Sequence, residues 1–243
     1  RVPGRNTGFH PGATRVEKND VMTKQPPSSD LALPQRRGTL AGQAYDAIST
    51  MIEQRELTAG SVIVEQQIAD LLGISRTPLR HALQRLEAQG VLVKSANRSF
   101  QVRKVELSEY LQSLKVRELL EAEAAALCVD RVDPAAIARA RETLHAVKEQ
   151  QPYDMLAHWR SDDDVHGLVI ENCGNRVMAN MLHSLRASTK MFEIDRLSER
   201  LEPDTRQHEA ILDALEARDA RLARKAMAGH IRSLRQFAIE TVS

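Results

Sequence analysis

The chain has 243 residues, with 34 Lys and Arg against 33 Asp and Glu, 42% hydrophobic residues and only 3% aromatic ones. That length suits two modest domains, each burying its own core, and a composition rich in Ala, Leu, Arg and Glu favours helices over sheets. No apolar run reaches the roughly 18 residues of a membrane span and the start lacks the apolar stretch of a signal peptide, which argues for a soluble, cytoplasmic protein.

The two cysteines, Cys128 and Cys173, sit in apolar helical stretches and read as reduced core thiols rather than a disulfide. The near-neutral total hides an asymmetry. Residues 1–35 hold five Lys and Arg against three Asp and Glu, residues 36–105 ten against six, and residues 106–243 nineteen against twenty-four. A basic front on an acidic back suits a protein that meets a polyanion at one end.

Residues 1–38, rich in Gly, Pro, Asn, Ser and charge and without apolar periodicity, read as a disordered tail or leader. Order is expected from Leu40. Tyr45, Ile48, Met51 and Ile52 recur at helical spacing, giving a first helix to about Leu57. A turn at Thr58-Ala59-Gly60 and a short β-branched run, Val62-Ile63-Val64, precede a second helix over Glu65–Leu72, closed by Gly73. The third helix starts with Ser75 as N-cap and Pro78 in its first turn, and runs to about Gln89 before Gly90. Val91-Leu92-Val93 and Phe100-Gln101-Val102 then form a hairpin across Lys94 to Ser99.

From Ser108 the periodicity is helical throughout. It predicts about six helices, near 108–130, 135–150, 153–172, 175–199, 203–217 and 219–240. The expected fold is thus mostly α. A winged helix-turn-helix of three helices and a β-hairpin over 39–105 is followed by an all-α bundle over 106–243.

The charges of the front part fall where a winged helix-turn-helix uses them. Arg76 and Arg80 are one turn apart at the start of the third helix, while Leu79, Leu83 and Leu86 point inward. An arginine fork matches the O6 and N7 of guanine, and Ser75, Thr77 and the helix-start amides can donate to phosphates. Arg98 at the hairpin tip, with Lys94 and Arg103 on the strands, would reach a neighbouring groove or the backbone. An ordinary solvated basic helix face remains the plainer reading of two arginines.

Here the sequence resembles a known family. Glu65-Gln66-Gln67-Ile68-Ala69, Leu72-Gly73-Ile74-Ser75-Arg76-Thr77-Pro78-Leu79-Arg80 and Arg85-Leu86-Glu87 are similar to the DNA-binding domain of GntR-type regulators. The resemblance implies that Ser75, Arg76, Thr77 and Arg80 touch double-stranded DNA. Ala59, His81 and Ser99 depart from the usual proline, glutamate and wing glycine.

Among eight histidines, His10 lies in the tail and His81 on the third helix. His145, His158 and His183 read as surface or satisfied structural residues. Asp162 and His166 share one helix face, and His166, His208 and His230 are each flanked at helical spacing by apolar residues, so all can point inward. Three imidazoles and a carboxylate make a first shell for a divalent transition ion, with positions open to a further ligand. From spacing, hydrogen-bonded core histidines stay the alternative.

Residues 108–240 resemble the FCD ligand-binding domain of the FadR-type branch, on Arg117-Glu118-Leu119-Leu120-Glu121, Asp162 to His166 with Asn175, Gln207-His208-Glu209-Ala210-Ile211, and His230. That resemblance implies a metal (zinc, nickel or manganese) held by Asp162, His166, His208 and His230, with Asp163 an alternative carboxylate. Val165 replaces the bulky aromatic that commonly precedes the first histidine. It also implies a small organic acid as effector. Arg117 is expected either to clamp that acid or to pair with Glu121 one turn on.

These readings converge on a homodimeric, ligand-responsive repressor of a palindromic operator. Its rivals are a helical metalloenzyme acting on a small carboxylate, disfavoured because no HExxH-type motif or separate general base stands out, and a regulator whose metal is purely structural.

Overall fold

The computed structural model describes residues 38–192 and 197–242. Nearly all of the expected tail over 1–38, with His10, lies outside the described residues, as does part of the helix expected over 175–199.

The front part is built from three helices and a small sheet. α1 (Leu40–Glu53) is capped by Thr39, whose hydroxyl accepts from the Gly42 amide at 3.1 Å. α2 (Glu65–Leu72) ends on Gly73 at φ +65°, a left-handed cap that glycine adopts without steric cost. α3 (Arg76–Ala88) buries Leu79, Ala82, Leu83 and Leu86 against α1. Ser75 occupies its N-cap position, but its hydroxyl makes no capping bond. β1 (Leu92–Lys94) and β2 (Phe100–Val102) pair antiparallel, Val93 opposite Gln101. The β-branched run before α2 joins this sheet: Val62 bridges Gln101, and the Ile63 amide donates to the Phe100 carbonyl at 2.8 Å.

The second part is helical. α4 (Leu107–Cys128) is its centre, packed against α9, α6 and α7. α5 (Pro134–Glu149), α6 (Met155–Asn172) and α7 (Arg176–Met191) are N-capped by Asp133, Asp154 and Asn175, whose side chains accept from free amides of the first turns. A 3₁₀ turn, Leu197–Arg200, leads into α8 (Leu201–Glu216), and α9 (Ala220–Val242) closes the bundle against α4 and α8.

Three boundaries differ from the sequence reading, each for a local reason. α1 stops at Glu53 instead of about Leu57, because Arg55 turns left-handed at φ +62°. α7 stops at Met191, because Phe192 turns extended and stacks on Tyr110 with ring centroids 4.3 Å apart. α8 begins at Leu201, so Pro203 lies inside its first turn, where a missing N–H leaves no bond unmade. Among the described residues no helix is long and apolar enough to cross a membrane.

Candidate metal centre and nucleic-acid interface

Ser75, Arg76, Thr77 and Arg80 are all exposed at the N-terminal end of α3, on the side away from the α1 packing. Arg76 and Arg80 are held back onto α2. Arg76 Nε donates to Gln66 Oε1 at 2.8 Å, and Arg80 Nε pairs with Glu65 Oε2 at 2.7 Å. In the hairpin, the left-handed residue is Arg98 (φ +60°) rather than the neighbouring Ser99, and this projects an exposed arginine at the tip. Lys94 lies over the Phe100 ring on the same hairpin. Arg103 turns the other way, to Glu109 at the start of α4, so it tethers the linker instead of extending the basic face.

Asp162, His166, His208 and His230 converge from α6, α8 and α9, each offering one ligand atom, all within 4.8 Å of one another. The three imidazoles are fully buried. Asp163 is half exposed and faces Arg186 and Lys190, leaving Asp162 as the carboxylate of the cluster.

The hydrogen bonds around the rings say what fits between them. His166 Nδ1 faces the Glu121 carboxylate, and His230 Nδ1 donates to Gln207 Oε1 at 3.0 Å. With both Nδ1 atoms carrying hydrogen, both Nε2 atoms present lone pairs, yet these lie only 3.2 Å apart. His208 Nε2 is buried with no hydrogen-bond partner among the described residues, 3.5 Å from Asp162 Oδ1. Such an arrangement calls for a positive centre. Metal–nitrogen bonds of about 2.0–2.1 Å at ordinary angles put ligand atoms about 3.0–3.4 Å apart; the 3.2 and 3.4 Å separations fall in that range and the 3.5 Å one lies just above it. A divalent cation bound here would supply a Lewis-acidic point of attachment for an oxygen ligand.

The protonation preferences agree. Burial depresses His208 to about 4, and burial together with the neighbouring imidazoles holds His230 well below its ordinary value, so both rings are neutral, the form in which an imidazole can ligate a metal. Burial and Arg186 push His166 down, but Glu121 and Asp162 outweigh them and raise it. Burial opposes ionisation of Asp162, but Arg186 and His166 hold its carboxyl well below the usual range. A proton on His166 and a cation at the cluster would therefore compete.

Beside the cluster is a cavity of about 70 Å³. Its walls include Asp162, His230, Tyr110 and Trp159, and four cations: Arg55, Arg117, Arg186 and Lys190. Arg117 makes the expected pair with Glu121 and also borders the cavity. Its Nε pairs with Glu121 at 2.5 Å, its Nη1 donates to Thr189 Oγ1 at 3.0 Å, and it still lines the cavity.

Residues 40–102 match the family described as bacterial regulatory proteins, gntR family, and residues 112–233 match the FCD domain. The chain belongs to the GntR family. It is a transcriptional regulator of the GntR/FCD type, not an enzyme. It is 28% identical over 197 residues to the "Probable D-xylose utilization operon transcriptional repressor" of Paenarthrobacter nicotinovorans, covering 80% of this chain and 87% of that one. It is 29% identical over 150 residues to the Nta operon transcriptional regulator of Aminobacter aminovorans, covering 61% and 71%. Among solved structures, E. coli McbR/YncC superposes with a TM-score of 0.73 at 21% identity, over 85% of this chain and 100% of that one, a likeness of fold.

Several residues of this GntR regulator's site were not singled out from sequence. Arg186 is buried on α7 with Leu182 and Thr189 at one-turn spacings, and donates to Asp162 Oδ2 at 2.7 Å. A lone arginine on an otherwise apolar stripe was the available signal. His158, expected at the surface or structurally satisfied, is buried beside the cavity, held by Tyr153 at 3.0 Å and Asp204 at 3.3 Å. His145 and His183 are exposed and pair with Glu209 and Glu171.

Proposed function

We propose that this GntR regulator is a metal-containing repressor of the FadR-type branch, released from DNA by a small organic acid. Residues 39–105 form the operator-binding domain, with Ser75, Arg76, Thr77, Arg80 and Arg98 on the DNA. Residues 106–243 form the effector-binding and dimerisation domain. Asp162, His166, His208 and His230 hold zinc, nickel or manganese, and the acid's carboxylate binds the metal with Arg117 and Arg186 close by.

The observation that carries this reading is the buried His/Asp cluster opening onto a cavity lined by four cations. A carboxylate satisfies both a Lewis acid and guanidinium forks, and the cavity volume favours an acid of only a few carbons. The P. nicotinovorans relative named as a repressor supports the sign of regulation. An exposed apolar stripe on α4, with Val116, Leu119 and Leu127 at 40%, 61% and 40% exposure, is the surface assigned to a second copy. A dimer doubles the contacts and matches a palindromic operator.

The test is elemental analysis of purified protein, followed by operator binding with and without two- to four-carbon acids. Stoichiometric metal and release by at least one acid are expected. Protein that holds no metal and gains no thermal stability from added zinc, nickel or manganese returns the histidines to plain core residues.

A further inference from the structure

The cavity wall contains one residue from the DNA-binding unit. Arg55 follows α1, and its guanidinium lies 5.6 Å from the ring centroid of Trp159 on α6. Its backbone is unusual. The Arg55 amide donates to the Ile52 carbonyl at 3.1 Å and the Glu56 amide to the Met51 carbonyl at 2.9 Å, which is the Schellman ending of a helix. That motif puts Arg55 at φ +62°, where α2 and α3 of the same unit place Gly73 and Gly90. α8 also ends on an arginine, Arg218, but that side chain is mostly exposed and lies 4.0 Å from Asp130. Arg55 instead carries a side chain in a strained position and lays it across an aromatic ring at the cavity.

We propose that Arg55 is an effector-contacting residue supplied by the DNA-binding unit, so that a small carboxylate in the cavity is gripped from both parts of the chain. This rests on the effector reading above and assigns its route of transmission. The planar guanidinium, oriented by the Trp159 ring, is suited to a carboxylate fork. α1 is packed along α3 through Ala44, Ile48, Met51 and Ile52. A ligand that pulls on Arg55 therefore acts through α1 on the recognition helix packed along it. Coupling between two sites is reciprocal, so operator DNA weakens acid binding by the same factor.

The experiment uses full-length, metal-loaded protein and an operator duplex selected by the wild type. Oxalate, malonate and L-lactate are titrated by calorimetry and by emission of Trp159, the single tryptophan of the chain. The quantity read is the ratio of operator dissociation constants with and without acid. Arg55→Gly suits the left-handed backbone and removes only the side chain, and Arg218→Gly is the matched control. For Arg55→Gly we expect acid affinity to fall at least tenfold and the ratio to approach one, with Arg218→Gly behaving as wild type. If Arg55→Gly keeps wild-type acid affinity and ratio, the assignment of Arg55 is overturned while the effector reading stands. If no acid changes wild-type Trp159 emission or operator binding, the effector reading fails and Arg55 with it.

Discussion

Arg76 and Arg80 are ordered on α2 by Gln66 and Glu65 before any DNA is present. Exposed pairs of this kind contribute little stability, so exchanging them for guanine edges or phosphates costs little. Arg76→Ala or Arg80→Ala should weaken operator binding by roughly 1–3 kcal/mol if each makes a bidentate base contact. Equal operator affinity in both variants, measured by fluorescence anisotropy at fixed salt, would falsify the recognition-helix assignment. The buried histidines behave differently. His208→Ala or His230→Ala removes one of four ligand atoms and should cut metal affinity by an order of magnitude or more. Melting temperature should fall with it in metal-containing buffer, because an ion bound only by the folded state stabilises that state. A variant that retains wild-type metal content after dialysis would exclude that histidine from the site.

The helix ends set the geometry at the next scale. Gly73 and Gly174 both end helices at positive φ, +65° and +70°, but their surroundings differ. A Cβ at Gly73 meets nothing within 4 Å, so Gly73→Ala pays only the backbone cost of about 1 kcal/mol. A Cβ at Gly174 would lie 2.4 Å from Arg131 Nη1, which donates to the Cys173 and Leu127 carbonyls at 2.9 and 3.1 Å. Gly174→Ala must displace that guanidinium as well, and should cost about 1–2 kcal/mol more than Gly73→Ala in chemical denaturation. Equal losses would mean that Arg131 contributes nothing to the turn between α6 and α7. That turn fixes where α7 begins, and α7 carries Arg186 onto Asp162.

For the whole molecule, the buried histidines couple folding to pH. In metal-free protein, His208 titrates near 4 when folded and near 6.5 when unfolded. Between those values the unfolded chain binds more protons, so stability falls as pH drops from about 6.5 to about 4, by on the order of 3 kcal/mol from His208. His230 acts in the same direction. His166 is raised and acts oppositely, stabilising at low pH and losing that contribution as pH rises through its folded value. A bound cation competes with the His166 proton, so metal affinity should rise with pH, and added metal should steepen the loss of stability as pH falls. Thermal melts from pH 4 to 8, with and without added metal, measure both effects. Metal-free stability that does not decline below pH 6.5 would contradict buried, neutral His208 and His230.

The sequence by itself determined the order of elements, because apolar spacing and caps are local. Gly73, Gly90, Asp133 and Asn175 mark helix ends whatever the tertiary contacts. It also brought Asp162 and His166 onto one face, since one helical turn does so in any fold, and the resemblance added His208 and His230. What it left open depended on distance through space. Whether the Nε2 atoms of His166 and His230 face each other, whether Asp162 or Asp163 turns inward, and whether Arg117 serves Glu121 or the cavity are decided only when α4, α6, α7, α8 and α9 pack. Arg186 and His158 became part of the site for the same reason, and Arg55 reached the cavity from more than a hundred residues before Trp159. Helix periodicity fixes which side of a helix a residue occupies; only packing fixes what that side meets.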